Sequence, residues 1–236
     1  KSIFIFNLYN SIYKIILYYI YYMKFDDIVD LKKIYLYCGD MPEQRRIVTN
    51  KEFVGLSLTR NDNIHINFDV TNPYPLKDNT VDIVQSEDVM EHIEYTKLTE
   101  CINEIHRILK PGGLFRLSMP DYVCDVLYNR SRKDSDGNIL FDYGGGGSYD
   151  EVNKKVIGGG HVWFPTYNSV YNLLETTNFD LDNIEFFHYY DEDKKPITNR
   201  IDYSLGWISR TPDHDKRVEV PYRPMSIVVD CYKSIE

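Results

Sequence analysis

Short apolar runs alternate along the chain with stretches in which apolar residues recur every third or fourth position. Ile34-Tyr35-Leu36-Tyr37, Phe53 to Leu58, Ile64 to Phe68, Val81-Asp82-Ile83-Val84 and Leu114 to Met119 are too short for helices. Polar or turn-forming residues bound them, so each predicts a buried strand. Leu98, Cys101, Ile102, Ile105, Ile108 and Leu109 recur at helical spacing and give one apolar face. Pro111-Gly112-Gly113 predicts the stop of that helix. Asp40-Met41-Pro42-Glu43 predicts the start of a shorter one. There Asp40 can cap, Pro is tolerated in the first turn, and Glu43 completes a capping-box-like pair. Farther on, Tyr171, Leu173, Leu174 and Phe179 mark another helix with a break at Asn178. Ile184 to Tyr190 reads as a sixth strand, and Met225 to Tyr232 as a seventh, hairpinned back antiparallel.

Strand, crossover helix and strand in this order make a right-handed parallel unit, whose ligands sit at the carboxyl ends of the strands. Around the long helix those ends are Gln85-Ser86-Glu87 and Met119-Pro120-Asp121.

The ordered motifs of this region are Asp69, then Pro73 and Pro75, Asp78-Asn79-Thr80-Val81-Asp82, Met90-Glu91-His92, and Glu104-Ile105-His106-Arg107-Ile108-Leu109-Lys110-Pro111-Gly112-Gly113. In that order they resemble the class I S-adenosylmethionine-dependent methyltransferases, and among them the small type 11 domains. The resemblance implies an α/β fold with a Rossmann-like seven-stranded sheet. That sheet is mostly parallel, has an antiparallel last strand, and carries helices on both faces. It also implies S-adenosylmethionine as cofactor. Asp69 falls where the family contacts the adenine amino group, with Val70 beside it, and Gly39 and Ser86 fall at positions that line the cofactor. Asp40 follows Gly39 in the same loop, and Ser57 falls at the ribose-binding acid. The first loop departs from the family pattern, because Tyr35 stands at its acidic position and Tyr37 at its first glycine. A tyrosine there must point away from the pocket or fill it. Ser57 in place of an acid offers ribose one weaker contact.

Composition narrows the partners. The net charge of -9 argues against nucleic acid, since neutralising phosphates needs a basic face. Cys38, Cys101, Cys124 and Cys231 show no C-x-x-C pairing, so reduced thiols, a cytoplasmic location and no metal site are expected. Residues 1–22 are expected to be an apolar, helical extension and 23–236 the methyltransferase-like domain. Within Lys1 to Met23, Asn7, Asn10, Ser11 and Lys14 interrupt the apolar run. A membrane span is therefore disfavoured, although contact of this segment with a membrane surface stays open.

Glycines 144–147 and 158–160 sit in a polar region expected to form a mobile lid over the carboxyl edge of the sheet. His161-Val162-Trp163-Phe164-Pro165-Thr166-Tyr167 follows, resembling the family's stretch before a helix. Segments 206–210 and 213–217 loosely resemble one found beside carbohydrate-modifying members. A hydroxyl acceptor needs a base, and the candidates are His161, Asp121 and His92, with Asp121 able to orient His161. Transfer to a small-molecule or sugar hydroxyl is the first reading of function. The alternative is a methyltransferase-fold protein without catalysis that serves as a binding or scaffold module.

Overall fold

The computed structural model describes residues 22–235. All but the last residue of the expected amino-terminal extension therefore lies outside the described residues. Eight strands form one sheet: β1 (Tyr35–Cys38), β2 (Phe53–Ser57), β3 (His65–Asn67), β4 (Val81–Glu87), β5 (Leu109–Pro120), β10 (Ile184–Tyr190), β11 (Pro196–Thr198) and β12 (Ser226–Tyr232). Their spatial order is β11-β10-β12-β5-β4-β1-β2-β3. Strands β3, β2, β1, β4 and β5 are parallel, and β12 runs antiparallel between β5 and β10. This is the expected seven-stranded arrangement with β11 added as an antiparallel edge.

Four α-helices accompany the sheet among the described residues: α1 (Glu43–Thr49), α2 (Tyr95–Ile108), α3 (Asp125–Arg130) and α4 (Tyr167–Glu175). Helix α2 buries Leu98, Cys101, Ile102, Ile105 and Ile108, the stripe its spacing predicts. With Val170, Leu173 and Leu174 of α4, that stripe packs against Leu36, Val84, Phe115, Leu117 and Val229 on one face of the sheet. Each of these side chains is worth about 1.5–3 kcal/mol on burial. On the other face, Arg45 of α1 reaches Tyr37 and Glu87. Non-helical chain from about residue 200 to 210 covers the rest of this face, with Ile201 and Ile208 packed on Phe187 and Val228. Among the described residues no helix is long and apolar enough to cross a membrane.

Three local expectations need correction. Pro111-Gly112-Gly113 does not end the helix, which stops at Ile108; it lies inside β5 as an irregularity in the β4 pairing. Gly112 takes φ +73°, and a Cβ on Gly113 would sit 2.8 Å from the carbonyl oxygen of Lys110. Glycine is required where the strand folds this tightly on itself. Asp40 does not cap α1, whose N-cap is Pro42 with no side-chain hydrogen bond. The polar region expected as a mobile lid is built as two hairpins. These are β6 (Ser131–Lys133) with β7 (Ile139–Asp142), and β8 (Ser148–Asp150) with β9 (Lys155–Ile157).

Candidate functional site

A cleft of about 540 Å³ opens at the carboxyl tips of β1, β2 and β4. It lies at the switch point of the sheet, where strand order reverses between β1 and β4. Its size falls within the range of small-molecule and cofactor sites. Gly39 follows β1 directly with φ +94°, and a Cβ there would come within 3.2 Å of Val89. Backbone is therefore exposed to the cleft where a side chain would block it. Of the residues the sequence assigns to the cofactor, Gly39, Asp40, Ser57, Asp69 and Val70 line this cleft and Ser86 does not. Ser86 is buried in β4, paired with Cys38.

The tyrosine at the first-glycine position points away from the cleft. Tyr37 packs with Met41, Phe53, Ile83 and Leu114 on the opposite face, and its hydroxyl accepts a 2.5 Å hydrogen bond from Arg45. The loop after Gly39 has its own anchor: the Met41 amide donates to His65 Nε2 at 3.0 Å, and His65 Nδ1 faces Asp62 at 2.8 Å. A side chain on Gly55 would collide with the His65 ring. Sequence reasoning missed His65, which sits at the start of β3 beside Ile66 and Asn67 with no motif to mark it.

Hydrogen bonds at the rim set what each acceptor can still do. Ser57 Oγ already accepts from the amides of Thr59 (3.1 Å) and Arg60 (2.9 Å). Asp69 Oδ1 accepts from the Thr71 amide and hydroxyl at 2.9 and 2.7 Å, which leaves Oδ2 for a donor in the cleft. Phe68, Val89 and Ile93 supply apolar wall, while Asp88, Glu94 and Lys97 supply charge.

Beyond His92, which lines the cleft, lies a buried ionisable cluster. The turn Met90–His92 is pinned to the hairpin region on three sides. The Val162 amide donates to the Glu91 carbonyl at 2.9 Å, Trp163 Nε1 donates to the Met90 carbonyl at 2.9 Å, and His92 Nδ1 donates to the Gly159 carbonyl at 2.9 Å. His161 is 4% exposed and stands edge-to-face with His92, ring centres 4.6 Å apart. Burial, with His92 adding to it, pushes the His161 imidazolium down to about 3. His161 is therefore neutral at physiological pH. Tyr122 orients it, not Asp121: the Tyr122 hydroxyl meets His161 Nδ1 at 2.5 Å and donates to Asp142 Oδ2 at 2.6 Å. Arg130 clamps Asp142 with two bonds of 2.7 and 2.6 Å. Burial raises the Asp142 carboxyl, but Arg130 and Tyr122 outweigh it and hold it below its ordinary value.

Glu91 is fully buried and neither carboxylate oxygen has a hydrogen-bond partner. Burial drives its carboxyl well above the ordinary range, and Asp88 adds to this. Asp121, also fully buried, has both oxygens engaged, by the Val123 amide and the Tyr190 amide, each at 3.0 Å. It ties the end of β5 to β10 and does not line the cleft. The structure thus brings His92 and His161 together and sets Asp121 apart. Tyr122, Asp142 and Arg130 escaped the sequence reading, because only the fold joins residue 122 to residues 142 and 161.

Residues 43–117 match a family model described as a methyltransferase domain. No curated protein matches the chain significantly. An S-adenosylmethionine-dependent methyltransferase from Archaeoglobus fulgidus has a similar structure. Its TM-score is 0.50 at 12% identity, over 89% of this chain and 90% of that one. Another from Thermotoga maritima gives a TM-score of 0.50 at 11% identity, over 89% and 86% of the two chains.

Proposed function

We propose that this chain, which has the class I S-adenosylmethionine-dependent methyltransferase fold, methylates a hydroxyl of a small molecule or sugar. The observation that carries the reading is the open cleft at the switch point, with a free Asp69 oxygen and His92 both on its wall. The residues present fit the cofactor. Gly39 lets a ligand approach backbone, Asp69 Oδ2 accepts from an amino group, and Phe68, Val70 and Val89 bury apolar surface. When bound, the cofactor supplies an electrophilic methyl group on a sulfonium.

The chain's own residues do the rest. The cleft walls fix the reacting partners in line, which is the main source of rate in such a transfer. The acceptor enters at His92, the member of the Glu91–His92–His161 cluster that lines the cleft, with Glu91 and His161 buried behind it. Tyr122 and Asp142 hold the His161 ring in one orientation. Asp121 acts by fixing the end of β5.

The second reading, a scaffold without catalysis, draws on the altered loop: Tyr35 and Tyr37 replace its family residues, and Ser57 Oγ is already spent on backbone. Calorimetric titration with S-adenosylmethionine separates the two. Binding below about 1 mM, equivalent to about -4 kcal/mol, is expected. No heat at that concentration overturns the methyltransferase reading in favour of the scaffold.

A further inference from the structure

The geometry points to a divalent-cation site formed by Glu91, His92 and His161 at the acceptor end of the cleft. Its role in catalysis rests on the methyl transfer proposed above. The binding itself does not.

One ligand atom from each of the three side chains lies within 4.8 Å of the other two. An ion with bonds of about 2.0–2.2 Å draws its ligands to roughly 3–3.5 Å from one another, so side-chain shifts of an ångström close the site. His161 Nε2 and Glu91 Oε1 already stand 3.6 Å apart.

Hydrogen bonding leaves all three groups presenting lone pairs. The Gly159 carbonyl can only accept, so His92 Nδ1 carries the proton, and in the neutral ring Nε2 is bare. Tyr122 spends its hydroxyl proton on Asp142, so it must accept from Nδ1–H of His161. This leaves His161 Nε2 bare and facing Glu91. The Glu91 carboxyl group is fully buried with both oxygens unpartnered. Buried acceptors without a donor are costly, and more so when charged. Among the described residues no lysine or arginine pairs with Glu91, and Arg210 is held by Asp88 at 3.0 Å. A cation supplies what every atom of this cluster lacks.

Support behind the ligands is already in place. Imidazoles that bind metal usually donate their second N–H to a carbonyl or a carboxylate, which fixes ring and tautomer. His92 does so to Gly159, and His161 does so through Tyr122 to Asp142, itself clamped by Arg130. Two imidazoles and one carboxylate favour Zn²⁺, Mn²⁺, Co²⁺ or Fe²⁺ over Mg²⁺ or Ca²⁺. This departs from the expectation of no metal, which looked for paired cysteines.

Three protein ligands leave coordination positions open, and His92 and Gly159 place them at the cleft wall. Those positions suit an acceptor with two neighbouring oxygens, such as a vicinal diol. A hydroxyl held there loses its proton to water more readily. Its oxygen then bonds to the methyl carbon as the carbon–sulfur bond breaks. The electron pair stays on sulfur, and the released proton carries away the positive charge.

The full chain, stripped with a chelator, is titrated calorimetrically with Mn²⁺ and Zn²⁺, and with Co²⁺ followed by visible absorption. One equivalent is expected to bind. Glu91→Gln should lose it, and Tyr122→Phe, a positioning change, should weaken it by about tenfold. Cofactor affinity, titrated separately, should not change in either variant, since neither side chain lines the cleft. Failure of the wild type to bind one equivalent overturns the site. So does undiminished binding by a Glu91→Gln protein that keeps its circular dichroism spectrum. If Glu91→Gln does not fold, His161→Gln takes its place under the same criteria. Metal binding without cofactor binding leaves the site standing and removes the methyl-transfer reading alone.

Discussion

At the tips of β1, β2 and β3 the cleft is walled by Gly39, Asp40, Ser57 and Asp69 together with the apolar Phe68 and Val70. Around His161, the buried Glu91, Tyr122, Asp142 and His161 crowd together with the half-buried Arg130. The first region costs little to leave empty, because Ser57 and Asp69 Oδ1 are satisfied by their own turns. The second is expensive in low dielectric unless every group is paired, and Glu91 is not. On the proposed reading, shape does most of the work where the cofactor would bind, and buried polarity where the acceptor would. Perturbed ionisable groups beside a cleft mark it as a candidate site for chemistry. Changes in the cluster should therefore alter turnover and leave cofactor affinity alone, while changes at the strand tips should do the reverse.

The largest effect is expected from His161→Ala. Removing a positioned group of an acid–base or metal cluster costs about 10²–10⁴ in turnover. Cofactor affinity should stay within error, because His161 is not part of the cleft wall. Steady-state kinetics with an acceptor from a screen of sugars and small alcohols, beside calorimetry with cofactor alone, makes the check. A variant that keeps full turnover shows that the imidazole only packs against His92 and Tyr122. One that also loses cofactor shows that the two ends are coupled.

Asp69→Ala probes the opposite end. A charged hydrogen bond is worth about 1.5–3 kcal/mol, so cofactor affinity should fall tenfold or more. Turnover at saturating cofactor should hold. Unchanged affinity would remove Asp69 from the site.

The contrast also explains which parts could be read in the sequence. The α2 stripe, the five parallel strands and the antiparallel β12 were legible because period and turn residues specify them locally. The place of Gly39, Asp69 and Val70 on the cleft wall was legible because they follow strand ends, which face the crevice in this architecture. The tyrosine at position 37 could not be resolved, since only the β1 pairing decides that its ring joins Phe53 and Leu114 on the far face. Arg116, in the middle of an apolar strand, gave no hint of Asp230, which meets it in a fully buried two-bond pair at 2.7–2.8 Å. The cluster's supports were hidden likewise, because Tyr122, Asp142 and His161 come from three separate segments, Asp142 closing β7. The role offered to Asp121 looked sound at a strand end, yet two backbone amides consume its oxygens.

Between the two regions stands Glu87, at the tip of β4. It pairs with Arg45 and accepts from the Ser209 amide at 2.8 Å. Burial, against the pull of Arg45, raises its carboxyl from 4.5 to about 7. A carboxyl whose pKa is higher folded than unfolded takes up a proton on folding. Its contribution is complete below the unfolded value and declines as pH rises through the folded one. The stability of the wild type relative to Glu87→Gln should therefore fall between about pH 4.5 and 7. Urea unfolding of both proteins across that range tests it. A flat difference would mean that Arg45 holds Glu87 ionised throughout and that burial has been overweighted.

Ser57→Asp should give the smallest change, and in the favourable direction. One carboxylate oxygen can take over the Thr59 and Arg60 amides that Ser57 Oγ now accepts. The second oxygen would then face the cleft as a new acceptor for ribose hydroxyls. The gain is limited, because position 57 is 1% exposed and a charge there must be partly desolvated. Asp40 and Asp69 line the same cleft, so the new carboxylate also meets like charge. A tightening of cofactor affinity of roughly three- to tenfold, or about 0.7–1.4 kcal/mol, is expected from this balance. Calorimetry on a variant shown to be folded by circular dichroism reads it directly. Equal or weaker affinity would mean that the side chain at the tip of β2 does not face ribose. The strand tips would then hold the cofactor by shape and Asp69 alone.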